Sequence, residues 1–438
     1  MPYRKIPGIE ESYFMLAVDE NGIEAANDPD ASMGRISDDL KRALFQEKAT
    51  DLFIWIHGWK GGVNEAFDQY DRWIAAFAAR SEDHAMMMAK QPGYKAIHLG
   101  FHWPSLAWGE GQLAAGDSFS AASTLPLDQL VEHFSGQLGD SPPVRAALRK
   151  LFGELRQNAA DDTLTKQAQE AYLELNAALA LGDSGRPGDG ASDRHAFDPD
   201  LSLPAHQNLA FGAAELGSRL LSPLRQLTFW TMKKRAMTVG QQGLHSLLKR
   251  LQSASPSLHI HLMGHSFGSI VVSSAIVGPD ASSDLHREID SCVLIQGAMS
   301  LWAFASSIPN HQEICGYFNK IVSEGKVKGA LIATRSKHDY AVGNIYPWAA
   351  GVANQISFGL PLYGAIGTFG ICGTTNTENL EMKGVHETYA LEPGKVYNVD
   401  GSDFISKIDG VSGAHSDIGG PEVAHLIWQA AMLGGVKS

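Results

Sequence analysis

The sequence predicts an α/β protein, with a mostly parallel central sheet, helices on both of its faces and a helical insertion. Three observations predict this. Short apolar runs with strand character alternate with helical patterns. Between residues 106 and 225 that rhythm gives way to three amphipathic stripes. One strand, in "LHIHLMGHSFGSIVV" at 258–272, ends at a serine between glycines, and a second apolar run opens at once.

Taken in order, "DLFIWIHG" (51–58) is an apolar run that stops at a glycine, and Phe67, Tyr70, Ile74 and Phe77 then fall on one helical face. "KAIHLGFHWPS" (95–105) alternates as a strand does and ends at Pro104. "SLHIHLMG" (257–264) is a third strand, and "SIVVSSAIVG" (269–278) is its helix. "DSCVLIQG" (290–297), "GALIAT" (329–334) and "KVYNVDG" (395–401) are further strands. "PEVAHLIWQAAM" (421–432) closes the chain as a helix with Pro421 in its first turn. Such alternation means parallel strands buried on both faces.

The interruption has its own logic. Leu127, Leu130, Val131, Phe134 and Leu138 form one stripe. Val144, Leu148, Leu151, Phe152 and Leu155 form a second, and Leu164, Ala168, Tyr172, Leu175 and Leu179 a third. "GDSGRPGDGASDR" (182–194) is rich in glycine and charge and reads as a mobile linker. A long helix at about 224–252 leads back to the serine strand. Residues 1–105 and 226–438 are thus expected to form the sheet core, with 106–225 inserted. Insertions in this architecture sit at strand ends where ligands bind, so the segment reads as a lid. The plainer alternative is a decorative bundle.

Composition narrows the class. The chain has 438 residues, 44% hydrophobic and 19% charged, as in a soluble globular protein. A net charge of −13 argues against nucleic acid as a partner, since no basic excess is present to displace counterions. Three distant cysteines give no disulfide framework and suggest a reducing compartment, hence the cytoplasm. The start, "MPYRKIPGIEESYF", lacks a signal-peptide apolar stretch. "ISFGLPLYGAIGTFGICG" (356–373) carries Pro361 and five glycines and reads as a packed loop, not a membrane span.

Gly264-His265-Ser266-Phe267-Gly268 matches G-x-S-x-G. A strand that turns directly into a helix forces its corner residue into a strained conformation, and small neighbours let the backbones pass. The serine oxygen then stands above a helix amino end, which favours developing negative charge. A serine hydroxyl needs a base, usually a histidine held by a carboxylate. In this architecture both follow the serine in the chain. His415, in "GAHSDIGGPE" between the last strand and the last helix, is where the base belongs. Asp339, five residues past "GALIAT", is the candidate acid, with Asp409 and Asp417 as rivals. Asp417 is expected to bond loop backbone. Two main-chain N–H donors are needed for the oxyanion. Phe267 supplies one, and Trp59, after His57-Gly58, the other. Candidate substrate contacts are His57, Gly58, Trp103, His265 and Trp302. Trp108 and Phe304 are further pocket candidates, and the alternative is that these aromatics are simply core.

With these residues in hand, the chain resembles serine hydrolases of the α/β-hydrolase superfamily. The resemblance implies the α/β-hydrolase fold, an eight-stranded mostly parallel sheet and a triad of Ser266, Asp339 and His415. The loop "HSDIGG" further resembles the segment around the catalytic histidine in a bacterial and fungal branch that includes phospholipase effectors of type VI secretion. One departure is notable: His259 and His261 lie on the serine strand where apolar residues are expected, so their rings should be packed and hydrogen-bonded. Three functions follow: an esterase or lipase on apolar acyl esters, a membrane-directed phospholipase acting as a secreted effector, or a binding module without turnover. None requires a cofactor or metal. The expected partner is a small-molecule or lipid ester.

Overall fold

The computed structural model describes residues 3–59, 62–105, 126–158, 163–182, 185–200, 222–280, 283–345 and 360–434. Among them, nine strands form one sheet: β1 (Tyr3–Lys5), β2 (Ser12–Ala17), β3 (Asp51–Ile56), β4 (Ala96–His102), β5 (His259–His265), β6 (Ser291–Ile295), β7 (Leu331–Arg335), β8 (Thr377–Glu381) and β9 (Val396–Asp400). Their order is β1-β2-β4-β3-β5-β6-β7-β9-β8. Only β1 runs antiparallel to its neighbour. The six anticipated strands are present. β1, β2 and β8 are additional, so the sheet has one strand more than the resemblance implies.

The central strands β3, β5 and β6 are buried on both faces apart from His259 at the start of β5. One face packs Leu52, Ile54 and Leu262 with the helices that contain Leu40, Leu248 and Ile270. The other packs Phe53, Trp55 and Met263 against residues such as Trp73, Phe77 and Trp428. The two cores explain why these strands read as continuous apolar runs. Register matters most at the carboxyl ends. Ile56 lies opposite Gly264, and His265 lies opposite Ile295. The loops after β3, β5 and β6 therefore leave the sheet side by side.

The two histidines of β5 are accommodated by polar partners. His261 is fully buried, with Nδ1 2.9 Å from Ser291 Oγ and Nε2 2.9 Å from Asp51 Oδ1. His259 Nδ1 meets Asp290 Oδ1 at 3.0 Å. Burying such rings is tolerable because each polar atom named has a partner.

The long helix before β5 comprises Ser222–Val239, a π-helical turn at Gly240–Leu244, and His245–Ala254. A Cβ on Gly240 would lie 2.4 Å from the Val271 carbonyl oxygen, so this glycine lets the turn press onto the helix that follows the serine. The stripes of the 106–225 segment form helices Leu127–Leu138, Pro142–Gln157 and Lys166–Ala178, and their apolar faces join one of the two sheet cores. Ser141 and Thr165 cap the latter two by accepting from the Val144 and Ala168 N–H groups. The stretch expected to be a mobile linker is packed in its described part. Asp193 and Arg194 are buried. Asp189 Oδ1 accepts from Ala191 and Ser192 N–H, Asp193 Oδ1 from Gly188 N–H, and Arg194 donates to Asn176 Oδ1 and the Leu181 carbonyl. Side chains that satisfy backbone groups replace the apolar contacts that the composition lacks. Among the described residues no helix is long and apolar enough to cross a membrane. In the described part of 356–373, Tyr363, Ile366 and Ile371 are buried.

Candidate active site

Ser266 leaves β5 with φ at 53°, in the left-handed region that a non-glycine residue occupies only under constraint. The constraint is visible on both sides. A Cβ on Gly264 would meet the Gly268 carbonyl oxygen at 2.6 Å, and one on Gly268 would meet the Ile56 oxygen at 2.4 Å. Only glycines let β5, the helix Gly268–Val277 and the end of β3 approach so closely. The corner is pinned by Ser266 N–H donating to the Ile295 carbonyl at 3.1 Å, and by Ala298 N–H donating to the Ser266 carbonyl at 3.2 Å.

His415 is brought to this corner by the loop after β9. Its ring centroid lies 4.8 Å from that of His265, the residue before the serine. Its Nδ1 lies 2.7 Å from Asp339 Oδ2, and Asp339 is 1% exposed. The same carboxylate accepts from Gln296 Nε2 at 2.9 Å and from Val342 N–H at 3.1 Å. An ionised carboxylate is acceptor-only, so its two oxygens fix the tautomer of His415 with Nε2 free to act as a base. Ser266 Oγ makes no hydrogen bond among the described residues. The rival acids lie elsewhere. Asp409 is exposed and does not reach His415. Asp417 Oδ2 accepts from Ser406 and Lys407 N–H at 3.0 and 2.8 Å, the loop bonding expected of it.

Gly58 sits against the serine, since a Cβ there would lie 2.5 Å from Ser266 Cβ. His57 aims the next peptide. Its Nδ1 is 2.8 Å from the Gly58 carbonyl oxygen and must carry the hydrogen, so its Nε2 accepts from His102 Nδ1 at 3.0 Å. Holding the Gly58 carbonyl turns the Trp59 N–H, the other end of the same peptide, the opposite way. The His57 N–H is already bound to Tyr70 Oη at 3.0 Å. Among the described residues, the Trp59 and Phe267 N–H groups donate to nothing and are available. Burial pushes His57 down to about 3, which keeps the ring neutral.

A cavity of about 170 Å³ opens here, lined in part by His57, Gly58, Trp59, Trp73, His265 and His415. Of the expected substrate contacts, His57, Gly58 and His265 line it. Trp103 lies behind, stacked on His57 at 5.9 Å, with its Nε1 donating to the His57 carbonyl. Trp302 lies in a separate apolar cluster with Leu301, Ala305 and Ile308, its Nε1 donating to the Pro361 carbonyl. Phe304 is buried core, and Trp108 lies outside the described residues. Among the described residues no group of three or more His, Cys, Asp or Glu could hold a metal ion.

Sequence reasoning missed Gln296, Tyr70, His102 and Phe229. Phe229, on the helix before β5, packs at 5.7 Å on Trp59 and 5.1 Å on Phe267. Gln296 could have been noticed as the polar residue closing the apolar run of β6. The other three carry no signal separable from core.

A family model described as alpha/beta hydrolase matches residues 222–295, the stretch from the helix before β5 through the serine corner to the end of β6. No curated protein and no solved structure matches the chain. The sheet and this match give the chain an α/β-hydrolase fold. They support a hydrolase-like function in general terms.

Proposed function

We propose that the protein is a serine hydrolase that cleaves carboxylic esters through Ser266, His415 and Asp339. The observation that carries this is the 2.7 Å His415–Asp339 bond, packed against the strained corner that presents Ser266. His415 takes the Ser266 proton, and the serine oxygen attacks the acyl carbon. The Phe267 and Trp59 N–H groups receive the oxyanion, each worth about 2.7–4 kcal/mol of transition-state stabilisation in comparable sites. The alcohol leaves with the proton from His415. Water, deprotonated by the same ring, then releases the acid and regenerates the serine. Asp339 keeps the imidazole oriented and stabilises its charged form.

The stacked rings of Trp59 and Phe267, 5.5 Å apart, with Phe229 on their flank, favour an apolar acyl group. The inserted helices act as a lid in this reading. Phe229 lies just past the insertion, so a shift there would reach the acyl site. The test is labelling with a fluorophosphonate followed by peptide mapping, with p-nitrophenyl esters of graded chain length alongside phospholipid vesicles. Label on the Ser266 peptide, absent in Ser266→Ala, is expected. An unlabelled, folded wild type that turns over no ester refutes the proposal. Preference for vesicles over soluble esters would instead favour the phospholipase reading.

A further inference from the structure

His265 occupies the position before the serine, and the mechanism above gives it no task. It is 5% exposed, yet both ring nitrogens are bonded. Nε2 lies 2.9 Å from the His415 carbonyl oxygen. A carbonyl only accepts, so Nε2 carries the hydrogen and Nδ1 is the acceptor, served by Gln69 Nε2 at 3.3 Å. Among the described residues no other donor reaches the His415 carbonyl. The ring is also bracketed by Trp73, edge-on at 6.2 Å. Burial first, and then the neighbouring His415, hold His265 well below the usual histidine range, so it stays a single-proton ring.

The His415 loop has other anchors: Asp417 Oδ2 accepts from Ser406 and Lys407 N–H, and Trp73 Nε1 donates to the Ile418 carbonyl at 3.1 Å. Ala414 N–H donates to the His338 carbonyl at 2.7 Å, and Asp339 holds the His415 ring. The last two run to the loop after β7, and none of these bonds ties His415 itself to the nucleophile strand. The His265 bond does so, because it starts one residue from Ser266.

We propose that His265 is a positioning residue: its Nε2–H tethers the main chain of His415 to the nucleophile strand and so sets the distance between serine and base. A misplacement on the order of 1 Å at a reacting group can cost about 10²-fold in rate. The proposal rests on the triad reading, and its test separates the two.

The experiment compares His265→Leu, His265→Gln and Gln69→Leu with wild type. It reads kcat and KM on a short p-nitrophenyl ester, the fluorophosphonate labelling rate, and the downfield NMR signal of the His415–Asp339 Nδ1 proton. His265→Leu should lower kcat about 10- to 100-fold with KM little changed, and should shift or broaden the downfield proton. His265→Gln, which keeps a donor near the Nε2 position, should recover most of both. Gln69→Leu should act in the same direction but less, because an unpartnered Nδ1 lets the ring adopt the tautomer that cannot donate to the carbonyl. Wild-type kcat and an unmoved proton signal in folded His265→Leu overturn the tether, as does a His265→Gln variant as damaged as His265→Leu. Should His265→Leu fail to fold, Gln69→Leu decides, and wild-type kcat there overturns the tether. A wild type that neither labels nor turns over, with the proton signal still sensitive to His265, would sink the triad reading and leave the tether standing.

Discussion

Under the proposed triad, replacing Asp339 by asparagine should separate catalysis from folding. The carboxylate accepts three bonds, from His415 Nδ1 at 2.7 Å, Gln296 Nε2 at 2.9 Å and Val342 N–H at 3.1 Å. An amide of the same shape cannot accept all three. With its oxygen toward His415, its NH₂ meets the Val342 N–H, and a buried main-chain donor is left unpaired at about 1–3 kcal/mol. With its oxygen toward Val342, its NH₂ faces His415, whose ring must turn Nδ1 into an acceptor. The hydrogen then sits on Nε2, where the serine needs a base. The second arrangement keeps the main-chain bond but turns the amide nitrogen toward Gln296 Nε2, so each arrangement leaves one donor mismatched. Either one removes the negative charge that stabilises the imidazolium. The corresponding change in a protease triad lowers kcat about 10⁴-fold, or about 5.4 kcal/mol. The stability loss is bounded by that one mismatch. With an unfolding entropy of roughly 2.1 cal/mol/K per residue, about 1–3 kcal/mol is only about 1–3 °C in Tm for a chain of this length. Asp339→Asn should therefore lose about four orders of magnitude in turnover and labelling rate while melting almost with wild type. Asp409→Asn, at an exposed position, should match wild type in both. Asp339→Asn within about tenfold of wild type, or an equally inactive Asp409→Asn, would refute the assignment of the acid.

Two further outcomes test the fold beneath the site. Gly268→Ala places a methyl 2.4 Å from the Ile56 oxygen and 2.7 Å from the His57 oxygen, so the helix must retreat from β3. It should destabilise by about 1–3 kcal/mol and slow labelling, whereas Gly153→Ala, whose Cβ meets nothing within 4 Å, should be neutral or slightly stabilising. Equal melting and labelling of the two variants would refute the close-approach argument. The second outcome concerns acid. Burial pushes His57 and His98 down to about 3 and His102 to about 4. Between pH 6.5 and 4 the unfolded chain therefore binds more protons than the fold, and stability falls with falling pH, by up to about 4 kcal/mol per pH unit for three sites. Asp290, held at about 2 chiefly by His259 against its own burial, adds to the loss below pH 4. His259 opposes weakly: its raised pKa gives stability complete below 6.5 and lost above that. The urea midpoint, followed by tryptophan fluorescence, should drop clearly from pH 7 to 4.5, and a flat profile would contradict the neutral buried histidines.

What the sequence discloses depends on whether a residue's role leaves a local pattern. The six strands read in advance are those whose burial makes them continuous or alternating apolar runs. β8, "TENLE", lies at an edge with much of its surface exposed, and nothing apolar marks it. The serine corner was legible because it needs glycines at fixed offsets, and each of those glycines does meet backbone. The proposed base and acid, which the structure brings within 2.7 Å, were picked out through chain order. Gln296 and His102 were not, because their partners lie 43 and 45 residues away, at Asp339 and His57, and only the sheet register brings them together. The stretch 182–194 has few apolar residues, and the bonds of its described part, from aspartates and Arg194 to backbone and Asn176, leave no apolar pattern in the sequence.

The site's precision comes from the sheet more than from the loops. Ser266 is held at φ 53° by neighbours on β3 and β6, not by its own side chain. The strain, of order 1–3 kcal/mol, is sustained because relaxing it would drive the Gly268 helix away from the Ile56 and His57 carbonyls. His57, at the end of β3, uses one nitrogen to aim the Gly58–Trp59 peptide and the other to lock onto His102 at the end of β4. His265, the last residue of β5, reaches the His415 loop. Three adjacent parallel strands thus end in histidines that ionise poorly and bond in fixed tautomers. In the proposed reaction a hydroxyl placed among them would meet donors and an acceptor already oriented, with little reorganisation left for the moment of reaction.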